Sequence, residues 1–372
     1  MAQESKMDFS EDGKKEDAND SMNLNHSLDM HKENKLESNL EHILDYKETP
    51  LFKTVKPLFL SMKLVGLYHT NKLQHRNSNG SKVNKQKLFA RFTISSAYSI
   101  FVIIVLSVNL LRLIWVFDSN ESLENGLLFK LSFTNWYLLC LINAIACYLG
   151  AARYHNIPEF FLKWNEICPK MEPKCHTYAR NKSILTTFLC WFGVFINMGT
   201  SIYSVLFTNV LNNYLGPFTD NNSEIVFYVA KILFLIINIY CSTAWIFPSG
   251  LTYLISMLLV KEFTTFNENL KKDFNYNYRL CAFKLEKYRQ THQAICTLTG
   301  HADDFLNIHF AAAFLVHMAN FTMLLYSMMI TKDLTSLPIV LFMYIVWIVA
   351  TAVFLGIDLV SACLVNYVVC KA

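Results

Sequence analysis

Six long apolar stretches, each near or above the ~20 residues a helix needs to cross ~30 Å of hydrocarbon, constrain this chain more than any other feature. They run approximately from Phe92 to Phe117, Leu127 to Gly150, Ile184 to Val210, Ile225 to Val260, Phe305 to Ile330 and Leu337 to Val369. The fold class that follows is all-α, a polytopic transmembrane helical bundle of about six spans. The fourth and sixth stretches exceed one membrane thickness. They are expected to continue as helices into the cytosol, or in the fourth case to bend at Pro248. Only 17% of the residues are charged, against about 25% in an ordinary soluble domain.

Charge distribution sets the orientation. Nine Lys/Arg lie in residues 53–91, six in 151–183, seven in 261–301 and one at Lys371, whereas the three other connections hold only Lys332. An imbalance of 23 to 1 places the basic connections, and the N-terminus, in the cytosol. Residues 1–50 carry thirteen Asp/Glu, six Lys/Arg and few aromatics, and are read as a disordered acidic cytosolic tail. Residues 51–90 read as a basic, amphipathic cytosolic segment. Within Leu51–Leu67, Lys53, Lys56 and Lys63 interrupt the Leu and Phe residues, which suits either the inner membrane surface or a helix packed on the cytosolic side of the bundle. Residues 91–372 form the bundle with its cytosolic extensions. The whole chain carries +4 and its first fifty residues −7, which leaves +11 on the remainder. Those Lys and Arg lie between apolar runs and not on one basic face, so no nucleic-acid partner is expected.

Little here points to catalysis. Most of the ten cysteines fall in apolar runs, where Cys behaves as a small buried hydrophobe, and no CxxC or paired-histidine spacing supports a metal site. None lies in a segment assigned outside the cell, so no extracellular disulfide framework is expected. Asp303 and Asp304 could serve acid–base chemistry or bind metal, but the preferred reading is a helix start, where carboxylates complement the dipole. No Walker loop, GxGxxG, HExxH or GxSxG occurs in a supporting context, and no internal repeat suggests a secondary transporter. Neither an enzyme nor a bound cofactor is expected. Asn120-Glu121-Ser122 and Asn221-Asn222-Ser223 are glycosylation sequons in loops assigned outside, so Asn120 and Asn221 are candidate glycan acceptors.

Lys287-Tyr288-Arg289-Gln290-Thr291-His292-Gln293-Ala294-Ile295-Cys296-Thr297-Leu298 follows a pattern of Arg, then His, then Leu/Ile-Cys ahead of the fifth span. Asp304, Phe305 and Tyr326 continue it, and Pro57–Tyr68 contains Leu64-Val65-Gly66-Leu67-Tyr68 ahead of the first span. With the cytosolic N-terminus, these features resemble the invertebrate gustatory and odorant receptor superfamily over about residues 51–369. The resemblance implies a gustatory-like chemoreceptor subunit of the plasma membrane. It would be one chain of a homo- or hetero-tetrameric, ligand-gated cation channel, with a small-molecule tastant or other sensory ligand as its partner. It further implies a cytosolic anchor at about residues 261–304, in which Arg289, His292 and Cys296 take part; for His292 the alternative is a solvated or capped helix histidine. The superfamily's seventh, pore-lining span carries Thr-Tyr followed by apolar residues and Gln-Phe. No such sequence is found here, and Ile357–Val369 reads as the end of the sixth helix. A truncated or divergent subunit, giving no ligand-gated current by itself, is the expectation.

Ligand chemistry is expected in the outer half of the bundle. The candidates are Trp136, Tyr137, Asn143, Asn197, Tyr203, Asn238, Tyr240, Asn320, Tyr326, Tyr344 and Trp347, since aromatic walls with a few amides suit a small organic molecule. Taken singly, each also fits a helix-packing amide or an interfacial-belt aromatic; as a set they are expected to include the lining of a pocket. Lys231 and Arg112 are read as snorkelling to the interface, and Asp358 as facing water or a basic partner. The competing functions are a G-protein-coupled-type receptor, for which neither Asp/Glu-Arg-Tyr nor Asn-Pro-x-x-Tyr is present, and a transporter or non-conducting membrane scaffold.

Overall fold

Lipid supplies no hydrogen-bond partners, so a run that crosses it must pair its own backbone. The apolar stretches do this as helices. The computed structural model describes residues 46–69, 93–113, 117, 127–152, 156–167, 173–207, 224–276, 278–330 and 338–371, and no strand occurs among them. After a 3-10 turn at Tyr46–Glu48 come α1 (Pro50–Leu64), α2 (Ile94–Arg112), α3 (Leu127–Ala152) and α4 (Ile157–Ile167). Then follow α5 (Pro173–Leu206), α6 (Glu224–Tyr276), α7 (Tyr278–Ile330) and α8 (Pro338–Lys371). Among the described residues, α2, α3 and α5 to α8 contain the six stretches long and apolar enough to span a membrane. Phe188, Phe192 and Phe195 on α5, Ile232 and Ile236 on α6, and Val349 and Val353 on α8 all face outward. So large an apolar surface would drive aggregation in water and suits lipid tails.

Helix α6 and helix α7 have 53 residues each. At 1.5 Å per residue each runs about 80 Å, so both project far beyond ~30 Å of hydrocarbon. The projecting parts, the C-terminal part of α6 and the N-terminal part of α7, lie at the end that carries the basic connections, here the basic end. This extension corrects one expectation. Asp303 and Asp304 do not start a helix; they are exposed residues within α7, which has already begun at Tyr278. An apolar stripe on Lys287–Leu298 is the cause: Ile295 and Leu298 are buried while Lys287 and Arg289 stay exposed, so the segment is helical well before the fifth span.

Helix α1 is capped at both ends by its sequence. The Thr49 hydroxyl accepts from Phe52 N at 3.4 Å, and Pro50 follows at a position where its missing N–H costs nothing. At the other end Gly66 has φ +76°, with Leu67 N donating to Met62 O at 2.8 Å and Gly66 N to Lys63 O at 3.2 Å, the pattern of a Schellman cap. A Cβ at Gly66 would also sit 2.6 Å from Val102 Cγ2 on α2. Leu51, Phe52, Val55, Leu58, Phe59 and Met62 are buried, and Phe52 meets Phe161 of α4 edge-on at 5.2 Å. This face of α1 is thus covered by protein, while Leu60 and Leu64 on its other side stay exposed. Helix α4 lay within what read as a plain connection; its buried Ile157, Phe160, Phe161 and Trp164 seat it between α1 and α7.

Helix α6 is the hub, touching α1, α2, α3, α5, α7 and α8. Every residue from Cys241 to Ser249 is buried, so here the helix is enclosed on all sides. At Gly250 a Cβ would collide with Cys190 Sγ, and the glycine lets α5 approach.

Candidate ligand cavity and the cluster at the basic end

Pro248 leaves α6 uninterrupted because its neighbours supply what the ring removes. Proline has no N–H, so the carbonyl four residues earlier, Ala244 O, loses its helical donor. Asn143 Nδ2 of α3 donates to that oxygen at 3.1 Å. Asn143 Oδ1 in turn lies 2.8 Å from His309 Nδ1 of α7, and His309 Nε2 faces Ser249 Oγ at 3.5 Å. Three helices are tied together at a point where no water is needed. Asn143 is therefore a structural amide of this knot and does not line the cavity described next.

Between this knot and the end opposite the basic one, α3, α5, α6, α7 and α8 line a cavity of about 50 Å³. Five aromatic rings line it beside His317: Phe129, Phe133, Trp136, Trp245 and Trp347. They brace one another, with Phe129 and Trp347 stacked at 5.4 Å and Trp136 edge-on to Trp245 at 5.9 Å. Amides and hydroxyls interleave, from Ser132, Asn197, Ser201, Asn238, Asn320 and Thr351. An apolar wall with a few placed polar groups is the usual composition of a small-molecule site. The volume admits a few waters, so a one-ring ligand enters only if Leu324 and the rings shift.

One wall residue connects the cavity to a buried carboxylate. Trp245 Nε1 donates to His317 Nε2 at 2.9 Å. An indole N–H can only donate, so that imidazole nitrogen accepts and the ring proton resides on Nδ1. Nδ1 faces Asp358 Oδ2 at 3.5 Å, and Asp358 is fully buried. Asp358 therefore meets a histidine from α7 and not water.

The sequence candidates divide by position. Trp136, Asn238, Asn320, Trp347 and Asn197 are brought together on the cavity wall. Tyr137 stands just behind it, buried, with its hydroxyl donating to Asn238 Oδ1 at 3.4 Å. Tyr344 packs on Phe129 at 5.0 Å with its hydroxyl 3.3 Å from Ser327 Oγ, next to the cavity but outside its lining. Tyr240 points to α2, where Tyr98 OH donates to it at 3.4 Å. Tyr203 stacks on Phe207, and Tyr326 is 48% exposed on the outer face of α7. Phe129, Phe133, Ser132, Ser201, Trp245, His317, Leu324 and Thr351 line the cavity without having been singled out. For His317 and His309 a signal existed: an ionisable residue inside an apolar span is a functional candidate by default. Arg112 donates to Asn109 Oδ1 from Nε and Nη2 at 3.2 and 3.1 Å, and Lys231 Nζ lies over Phe227 at 4.5 Å from the ring centroid. Asn120 and Asn221 lie outside the described residues.

The family described as 7tm chemosensory receptors matches residues 55–369. The chain belongs to this family. Among solved structures, the insect olfactory receptor OR5 from Machilis hrabei, in complex with eugenol, is similar to it with a TM-score of 0.58 at 16% identity. The likeness covers 85% of this chain and 79% of that one, and at such identity it is a likeness of fold. No curated protein sequence matches the chain.

The receptor's second cluster sits at the basic end. Phe263 and Phe266 of α6, Ile295 of α7 and Val368 of α8 form a small apolar core. His292 packs against both phenylalanine rings, at 6.1 and 5.7 Å, with Cys296 Sγ 3.8 Å from its Nδ1. Arg289 faces solvent and bonds Glu286 at 2.7 and 2.8 Å. The Arg289 hydrogen bond, then Gln290, draws the Glu286 carboxyl down to about 2. Asp273 receives Lys284 Nζ at 2.8 Å and Tyr288 OH at 2.6 Å, and these bonds hold its carboxyl below the usual range. Beside this network lies an open cleft of about 430 Å³, lined by Ile167, Lys272, Asp273, Lys287 and Tyr288. Its charged wall, with Lys272, Asp273, Lys284 and Lys287, contrasts with the ring-lined cavity and fits a contact with protein better than an organic ligand.

Proposed function

We propose that this chain is a gustatory-like receptor subunit that binds a small organic molecule in the cavity between α3 and α5 to α8. The observation that carries the reading is the cavity itself: a ring-lined space with a few amides, inside a member of a chemosensory receptor family. One solved structure of similar fold is an olfactory receptor in complex with eugenol, which supports a ligand of that size class. The subunit resides in the plasma membrane with its basic end and N-terminus in the cytosol, so the cavity opens toward the outer half and Asn120 and Asn221 are glycosylated. It assembles with like or related subunits into a tetramer that gates cations, and the cluster around Arg289, His292 and Cys296 anchors that assembly. Burial of Ile295 beneath an exposed polar face supports such a role.

The test is cation-dependent calcium imaging of cells expressing the full chain with related receptor subunits, challenged with a panel of small organic compounds. At least one compound should evoke a response that Ser201→Trp, which fills the cavity, abolishes at equal surface expression. Responses unchanged by Ser201→Trp, or none across the panel, would overturn the reading.

A further inference from the structure

The Trp245–His317–Asp358 relay turns on a single imidazole nitrogen. Trp245 Nε1 of α6 donates to His317 Nε2 of α7 at 2.9 Å, and an indole N–H can do nothing but donate. His317 Nε2 therefore offers its lone pair, and the ring proton stands on Nδ1, 3.5 Å from Oδ2 of Asp358 on α8. All three side chains are buried, with His317 1% and Asp358 0% exposed. One lone pair accepts one hydrogen. A proton arriving at Nε2 takes the place of the indole N–H, because an imidazolium carries N–H groups on both sides and two donors do not pair. The proton and the Trp245 bond exclude each other.

The surroundings supply one counter-charge. No Asp, Glu, Lys or Arg lines the cavity, and Asp358 stands behind His317 as the one carboxylate beside the ring among the described residues. The other titratable side chains of the packed helices are His309 on α7, whose ring nitrogens face Asn143 and Ser249, Tyr137 and Cys140 on α3, and Cys241 on α6. Helix α4, with Glu159, Lys163 and Glu166, meets α7 at Phe305, about 18 Å along that helix from His317. The imidazole itself lines the cavity, whose waters give a proton its route.

We propose that His317 Nε2 is a proton-binding site whose occupation frees Trp245 from the wall, so that acid reshapes the cavity with no ligand present. The proton comes from water and forms an N–H on the ring. The hydrogen bond from Trp245 breaks, and Asp358 pairs the charge that results. Trp245 packs on Phe354 of α8 at 4.6 Å and edge-on to Trp136 of α3 at 5.9 Å, so its departure alters the wall on two sides.

The experiment is nuclear magnetic resonance of the purified full-length receptor in lipid nanodiscs, with nitrogen-15 tryptophan and the pH taken from about 9 to about 5. Trp245→Phe identifies the Trp245 indole N–H peak among those of the six tryptophans. At the alkaline end that peak should lie downfield, as for a hydrogen-bonded indole. On acidification it should move upfield to the free position, while the peaks of Trp164 and Trp191, which lie outside the cavity, stay and report an intact fold. In His317→Gln, whose side-chain oxygen accepts from the indole but binds no proton, the peak should remain bonded throughout. In Asp358→Asn it should still be bonded at a pH where the parent peak has already moved, and this variant carries the test should His317→Gln fail to fold. A Trp245 peak unmoved across the range, or moving only together with those of Trp164 and Trp191, overturns the proposal. So does a transition that persists in His317→Gln or that Asp358→Asn leaves unchanged.

Discussion

Asn143→Leu removes the side chain that completes the backbone of α6 at Pro248, and its cost follows from what is stranded. Two buried groups lose a partner: Ala244 O, 3.1 Å from Asn143 Nδ2, and His309 Nδ1, 2.8 Å from Asn143 Oδ1. In water-soluble cores an unpaired buried group costs ~1–3 kcal/mol. Hydrogen bonds between membrane helices average only ~0.6 kcal/mol and reach ~1.7, because the unfolded chain in a membrane also finds partners. The membrane value governs here, but two groups are stranded at a fully buried site, so the expected loss is about 1–3 kcal/mol. Pro248→Ala should repair part of it, since alanine restores the N–H that Ala244 O lacks. Alanine also raises helix propensity at this position in either background, and a double-mutant cycle cancels that common gain. Reversible unfolding of the purified chain in mixed micelles, followed by tryptophan fluorescence, should give Pro248→Ala at least ~0.5 kcal/mol more benefit beside Asn143→Leu than beside Asn143. A loss under ~0.5 kcal/mol for Asn143→Leu, or a cycle that closes to within ~0.3, would refute the repaired-proline reasoning.

Gly66→Ala should destabilise the α1–α2 junction by about 2–4 kcal/mol in the same unfolding assay, combining a disfavoured positive φ with overpacking against Val102. Asp273, whose carboxyl Lys284 and Tyr288 hold low, contributes stability that is complete above its ordinary value of ~3.9 and is lost as pH falls through the lower folded value. Pepsin cleavage near Phe274 should therefore accelerate as pH drops from about 4 toward 2, and Asp273→Asn should cleave fast already at the upper end. An N-terminal tag should be inaccessible to antibody on intact cells, while endoglycosidase treatment shifts the mobility of the native chain but not of a variant with Asn120→Gln and Asn221→Gln.

The spans were legible because twenty consecutive apolar residues admit few other fates, and α2, α3 and α5 to α8 each overlie a stretch read from sequence. The helical extensions at the basic end were legible in part. The stripe of Ile295 and Leu298 is visible in Lys287–Leu298, but a start for α7 as early as Tyr278 depends on α6 lying alongside. Helix α4 was missed although Ile157, Phe160, Phe161 and Trp164 recur at i, i+3, i+4 and i+7: eleven residues are too short for a span, and the partner for that stripe, Phe52 of α1, shows only in the packing. Five of the thirteen residues of the cavity wall were legible, Asn197 among them. Trp136, Asn238, Asn320 and Trp347 are the aromatic and amide types such a site needs. No residue type distinguishes Asn143, committed to Ala244 O, from Asn320, whose carbonyl oxygen is unpaired; only the packing of α3, α6 and α7 separates them.

Photolabelling tests the central claim most directly. A phenol bearing a diazirine, irradiated with the full-length receptor in lipid bilayers and mapped by peptide mass spectrometry, should label the segments of α3, α6 and α7 around Trp136, Trp245 and Asn320. Excess of the same phenol lacking the diazirine should protect them. Labelling confined to outward-facing residues such as Phe188 and Phe192 of α5, with no protection, would show that the ligand meets only the lipid-facing surface and contradict the account.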